Sequence, residues 1–490
     1  MYPFGPWLPD IAPFESSAAT VAHNVVPAQR SYRSWQQYQG GDFTFPMPVL
    51  GAISAGRSTT VETQNFCGTA RKLYQLAPDA VTWNDVTRTV GGDYNIGDTG
   101  FWQFASFGDT LIGTNAVDPP QAFTLGTSTA FSALGGSPPL AQFITVVRDF
   151  VVLGATSTGL NNLTWSAINN PLNWTPSDTT MAGNQNFPEG GAIKGLTGGD
   201  FGLVFCERAI YRMSFEGPPL IFRFDRISQQ MGCKAPRSIA SHENMTFFLS
   251  YAGFYMVRGA SEISPIGSGK IDEWFDANVN REAIDKVTAA IDPERKLYVV
   301  NFPKGTATQC DTALMYEWTT GQWSTADMTA NLVMMASAQK LITIDDLPQV
   351  GATIDNLPST LDSVVYSGVY RSRLAAFGTD NKFGFFTGQN AEGVVETGDI
   401  QLSKGRKSML RSLRPMIHGN DPRPSVLIRH KDNLHETFDE TAASQVNNTG
   451  LCTTRVNSRY HRARVTIPAG TTWDHAIGVD DVTFTPMGVR

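Results

Sequence analysis

Short apolar runs recur along this chain at a near-regular spacing, and that spacing restricts the fold more than any other feature. The runs begin at Phe101 (FWQFASFGDTLIGTN), Phe143 (FITVVRDFVVLGA), Ile193, Arg237 and Val287, so successive starts lie 42, 50, 44 and 50 residues apart. A period of roughly 40–50 residues marks propellers and solenoids. Each unit has one grammar: a short strand, a polar corner, then an apolar strand. The corners are Phe107-Gly108-Asp109, Arg148-Asp149, Gly199-Asp200, Glu243-Asn244 and Asp292-Pro293-Glu294-Arg295. A third, aromatic-bearing strand often follows, as in Leu163-Thr164-Trp165-Ser166 and Leu314-Met315-Tyr316-Glu317-Trp318. Three or four strands per unit make a blade.

The strands alternate or are wholly apolar, and Gly, Asp, Asn and Pro bound them, so the reading is all-β. Five units are visible and residues 333–386 supply a sixth, which predicts a six-bladed β-propeller over 51–389 with a C-terminal β-sandwich-like domain over 390–490. Helical spacing is confined to residues 271–286, where Ile271, Trp274, Phe275 and Val279 share a face. Residues 1–50 are Pro-rich and read as an extended N-terminal arm, a candidate to close the propeller. Residues 342–363 repeat Thr-Ile-Asp-x-Leu-Pro and read as an acidic insertion loop.

Hydrophobic residues at 41% and charged residues at 17% describe a chain that folds rather than stays disordered. Its N-terminus has no basic and apolar leader, and no run of about 20 apolar residues occurs, so neither a secretion signal nor a membrane span is expected. The five cysteines, Cys67, Cys206, Cys233, Cys310 and Cys452, are widely spaced and read as buried thiols of a reducing compartment. The net charge of −7 hides a split: residues 401–490 hold 13 Lys/Arg against 8 Asp/Glu, and residues 1–400 hold 25 against 37.

The sequence lacks the common catalytic and cofactor signatures. The Ser-x-Asp-x-Gly-x-Thr-Trp box of sialidase blades is missing, phosphate-loop glycine motifs are missing, and the C-terminal histidines His418, His430, His435, His461 and His475 lack metal-ligand spacing. The expectation is a non-enzyme with no cofactor, no metal and no small-molecule substrate. Two charged features remain. Asp345, Asp346, Asp355 and Asp362 lack the order of a calcium loop and suit a channel lining that repels DNA. Lys404, Arg406, Lys407, Arg411, Arg414, Arg423, Arg429, Lys431, Arg455, Arg459, Arg462 and Arg464 form a basic set suited to phosphates or to an acidic partner.

In order and texture the chain resembles the tail nozzle (tail hub, tail tube) proteins of short-tailed bacteriophages, the packaged-DNA stabilisation protein family. The likeness lies in Leu8-Pro9 and Asn24-Val25-Val26-Pro27 of the arm, and in Asp200-Phe201-Gly202-Leu203-Val204-Phe205 with Ile210-Tyr211 and Phe215-Glu216-Gly217. It continues in Gly253-Phe254-Tyr255, Ser264-Pro265-Ile266, Ile271-Asp272-Glu273-Trp274-Phe275 and the close from Arg459-Tyr460-His461-Arg462-Ala463-Arg464 to Gly488-Val489-Arg490. The resemblance implies a virion protein assembled in the host cytoplasm. It implies a ring of about six copies below the portal adaptor (the head-to-tail connector), a conduit that retains and ejects DNA, and partners among tail fibre, tailspike or needle proteins. The rival expectation is a receptor- or glycan-binding propeller of a tail fibre.

Overall fold

In the computed structural model the described residues are 1–12, 17–57, 63–78, 80–337 and 372–488. Among them, seven four-stranded antiparallel meanders follow one another in a closed circle. Blade 1 spans residues 49–85, blade 2 103–133, blade 3 141–186, blade 4 193–228, blade 5 240–265 and blade 6 288–327. Blade 7 is built from Ala330–Ser337, Ser372–Gly378 and Lys382–Phe385, and its outermost strand is Gln39–Thr44 from the N-terminal segment. The inner hairpins turn tightly at the polar corners, with the first loop residue left-handed: Gly108 at φ 56°, Arg148 at 50° and Glu243 at 52°.

What holds the circle is a separate apolar seam between each pair of blades. Phe377 and Phe383 pack on Phe45 and Trp83 between blades 7 and 1. Phe66 meets Phe123 between blades 1 and 2. Trp165 meets Phe222 between blades 3 and 4, Phe205 meets Phe248 between 4 and 5, and Phe247 stacks on Tyr298 at 4.9 Å between 5 and 6. Ile112 packs with Ile144 and Val151 between blades 2 and 3, and Val299 with Val333 and Leu374 between 6 and 7. Seven seams for seven blades leave no open edge in the ring.

The β-propeller with a C-terminal sandwich is therefore the fold, but with seven blades where the sequence period predicts six. Blade 1 escapes that period because its inner strands, Val49–Gly56 (VLGAISAG) and Thr63–Thr69 (TQNFCGT), are small and polar and form no apolar run.

The sandwich uses both ends of the chain. One sheet holds Val25–Ala28, Ser31–Ser34, His475–Pro486, Ser408–His418 and Cys452–Ser458, with Tyr2–Pro3 added to His475–Pro486. The other continues outward from blade 6: beyond Gln322–Asp327 lie Val21–His23, Gly393–Glu396, Tyr460–Ile467 and Ser425–Lys431. Val21–His23 runs parallel to the blade strand, pairing His23 with Thr325, and antiparallel to Gly393–Glu396. Leu410, Leu413 and Val456 of one sheet pack on Val426, Ile428, Ala463 and Val465 of the other. Among its described residues, the strands of the N-terminal segment are shared between the sandwich, the outer strand of blade 6 and blade 7.

The helical stretch divides in two. Helix α1 (Asp272–Asn278) buries Phe275, and a 3-10 turn follows at Arg281–Lys286. Asp10 of the arm accepts the Glu273 and Trp274 amides at 3.0 and 2.8 Å, satisfying two orphan donors of the first turn. Among the described residues no helix is long and apolar enough to cross a membrane.

Candidate functional site: the charged faces

The basic set of the sequence separates into two groups, one engaged with side-chain partners and one exposed without them among the described residues. Glu396, at the end of Gly393–Glu396, has a fully buried side chain. Arg464 Nε donates to its Oε2 at 2.6 Å, and Arg429 and Arg462 approach Oε1 at 3.4 and 3.5 Å. Thr20 Oγ1 donates to the same carboxylate at 2.7 Å, fastening the arm to the sandwich. Arg462 also pairs with Asp399 at 2.5 Å, and Arg429 with Glu440 at 2.9 Å. Phe438 underlies the cluster, with Lys431, Arg462 and Arg429 at 4.3, 4.1 and 5.2 Å from its ring centre. Lys407 pairs with Asp432 at 2.5 Å, Arg414 with Asp481 at 2.8 Å and Arg423 with Asp421 at 2.7 Å. Arg459 is half-buried and engaged.

Lys404, Arg406, Arg411 and Arg455 remain exposed, with no side-chain partner among the described residues. Arg411 sits in a bulge between the Leu410–Val456 and Ser412–Thr453 pairs, beside Arg455. Thr453 and Asn457 share its face. Like charges side by side on neighbouring strands repel, so this arrangement favours a bound counter-charge.

The acidic set Asp345, Asp346, Asp355 and Asp362 lies outside the described residues. Its flanking residues Ser337 and Ser372 are hydrogen-bonded through their hydroxyls at 3.2 Å, at the end of the inner hairpin of blade 7.

The propeller axis, where a ligand would enter many propellers, is bridged at one mouth. Arg237, just before blade 5, lays its guanidinium over the ring of Phe101, just before blade 2, at 5.5 Å. Its Nη2 donates to the Asp285 carbonyl at 3.1 Å, and Gln142 Nε2 donates to the Phe101 carbonyl at 3.2 Å. Blades 2 and 5 are not neighbours, so the contact crosses the opening. The seven innermost strands carry three titratable side chains among the described residues, and each is occupied. Lys194 pairs with Glu207 at 3.2 Å, Asp292 takes Arg295 at 3.0 Å, and His242 faces Trp318 at 5.5 Å.

The five cysteines are free and buried, and burial raises the thiols of Cys206, Cys233 and Cys310 to about 12, so they stay protonated. Two histidine pairings were not legible in the spacing: His430 stands directly opposite His461, and His418 opposite His475. Among the described residues no group of three His, Cys, Asp or Glu is placed to hold a metal.

No protein-family model matches the sequence. No curated protein matches it either. Among solved structures, the extracellular domain of a hybrid two-component system from B. thetaiotaomicron is 12% identical, with 83% of this chain and 47% of that one covered and a TM-score of 0.43. The chain thus spans about half the length of that protein. The WD40 domain of Neurospora crassa Pan2 is 6% identical over 62% of this chain and 87% of that one, TM-score 0.37. The computationally designed Ika8 protein is 11% identical over 71% and 98%, TM-score 0.38. These likenesses concern the fold alone.

Proposed function

We propose that this chain is a non-catalytic structural subunit of a bacteriophage tail. It forms a ring below the portal adaptor as a nozzle or hub that retains and then ejects DNA. The reading starts from the resemblance in the sequence. The observation that supports it is that Arg411 and Arg455 on the sandwich sheet, and Lys404 and Arg406 in the turn before it, lie exposed with no carboxylate partner among the described residues, while Arg429, Arg462 and Arg464 are paired with carboxylates. A surface of that kind suits assembly. The bridged axis, with Arg237 over Phe101, favours a conduit between copies over one through a single propeller. Binding partners on this reading are further copies of the chain, the adaptor, fibre or tailspike proteins, and passing DNA.

Light scattering and electron-microscopic class averages of the purified chain test it. Hollow rings are expected. Monomers that bind host glycan and form no ring with adaptor present would replace it with the receptor-binding fibre reading.

A further inference from the structure

Among the described residues, two surfaces carry an excess of one charge over the other. The first holds Arg411 and Arg455 on the outer face of the sandwich sheet, with Lys404 and Arg406 in the turn that precedes Ser408–His418. The second lies on blades 3 and 4, where Asp149, Asp178, Asp200 and Glu216 are all exposed and have no side-chain partner among the described residues. Backbone hydrogen bonds gather the first three, and a ring contact brings in Glu216. Gly199 N–H donates to the Val146 carbonyl at 3.0 Å and Arg148 N–H to the Gly199 carbonyl at 2.8 Å, joining the turns that carry Asp149 and Asp200. Asn169 N–H donates to the Asp149 carbonyl at 2.8 Å and Ile168 N–H to the Thr180 carbonyl at 3.2 Å, drawing in the loop of Asp178. Glu216 follows Phe215, whose ring packs on Phe150 of blade 3 at 5.6 Å. The cations of this region, Arg148 and Arg212, lie over the rings of Phe215 and Phe201 at 5.4 and 5.0 Å.

We propose that the basic sandwich face of one copy docks on the acidic face of blades 3 and 4 of the next. The proposal rests on the ring reading above and names the seam between its subunits. The occupant is a second copy because one chain carries both complementary surfaces. The two belong to different parts of the molecule, so the contact is head-to-tail, the type that generates rings when its rotation closes. Arg411 and Arg455 then gain the carboxylates their side-by-side placement calls for. Such a seam sets orientation and association rate and weakens as salt rises.

A charge swap tests it in the full-length chain. One variant carries Arg411→Glu and Arg455→Glu, the other Asp200→Lys and Glu216→Lys; all four positions are exposed, and thermal unfolding checks that each variant folds. By sedimentation, the wild type is expected to assemble at about 50 mM salt and to dissociate towards about 500 mM. Each variant alone should associate about tenfold more weakly or worse, and an equimolar mixture should assemble again, because each altered face then meets an altered partner. Assembly of either variant alone at wild-type strength, or a mixture that stays apart, overturns the seam. Hollow rings built from the reversed variants would overturn the seam and leave the ring reading standing, whereas a wild type that is monomeric throughout removes the ring itself. A labelled duplex of about 30 base pairs gives the last arm: if Arg411→Glu/Arg455→Glu abolishes its binding while assembly is unchanged, the basic face is a nucleic-acid site and the seam is wrong.

Discussion

Glu396 and His461 belong to the same sheet of the sandwich and meet burial in opposite ways. Glu396 is fully buried against three guanidiniums, and breaking such a buried cluster by removing one partner costs about 3–5 kcal/mol. His461 is 2% exposed and borders a small cavity lined by Ile400, Leu402, Leu410 and Ile428. Burial, with the nearby His430 second, lowers its pKa from 6.5 to about 4, so the folded protein holds it neutral. Between those values the unfolded chain binds a proton that the folded chain refuses, so this residue withdraws stability as pH falls through the window. Asp272 acts with the opposite sign. Burial raises its pKa from 3.8 to about 6, so the folded state is protonated first and gains stability on acidification. Comparing wild type with His461→Leu isolates the histidine: denaturation at pH 7.5 and 4.5 should show the wild type losing about 2–3 kcal/mol more than the variant. Equal losses would clear His461 of the effect.

Ring closure rests on one strand. Gln39–Thr44 completes blade 7 by pairing Gly40 with Gly384 and Gln39 with Phe385. A Cβ on Gly384 would come within 2.1 Å of the Gln39 carbonyl, so only glycine admits the strand there. Gly384→Val is expected to displace Gln39–Thr44, to expose it to proteases and to lower stability by about 2 kcal/mol or more. Limited proteolysis with intact-mass readout checks this, and an uncut 39–44 segment with an unchanged midpoint would count against strand-borne closure. The helix shows a similar interplay. The apolar face of residues 271–286 was legible in its spacing. Its division was not, because Val279 turns extended at ψ 139° and Asn280 caps the next turn by accepting the Glu282 amide at 3.1 Å.

At the scale of the molecule, propeller and sandwich share a ten-stranded sheet through Val21–His23, and one apolar cluster runs from Phe247 and Tyr298 of the blades to Val456 and Val465 of the sandwich. Parts joined by backbone pairing and a common core should unfold together. Calorimetry is expected to show one transition with equal calorimetric and van't Hoff enthalpies, and two resolved transitions would mean that the shared sheet does not couple them.

The sequence alone determined what is local: strands of alternating pattern, tight corners such as Gly108-Asp109 and Glu243-Asn244, blade-like units, a sandwich after residue 390 and cysteines that act as small apolar residues. Period and turn chemistry act within a few residues, so they can be read in order along the chain. Tertiary structure decided the rest. It set the seventh blade, which strand of the arm completes blade 7, the sharing of the sandwich between both ends of the chain, and the division of the basic residues into paired and exposed groups. Each of these depends on partners far apart in sequence, as when Thr20 reaches Glu396 across 376 positions. Whether a strand pairs, or an arginine is left free, depends on which distant surface buries it, and no local pattern encodes that choice.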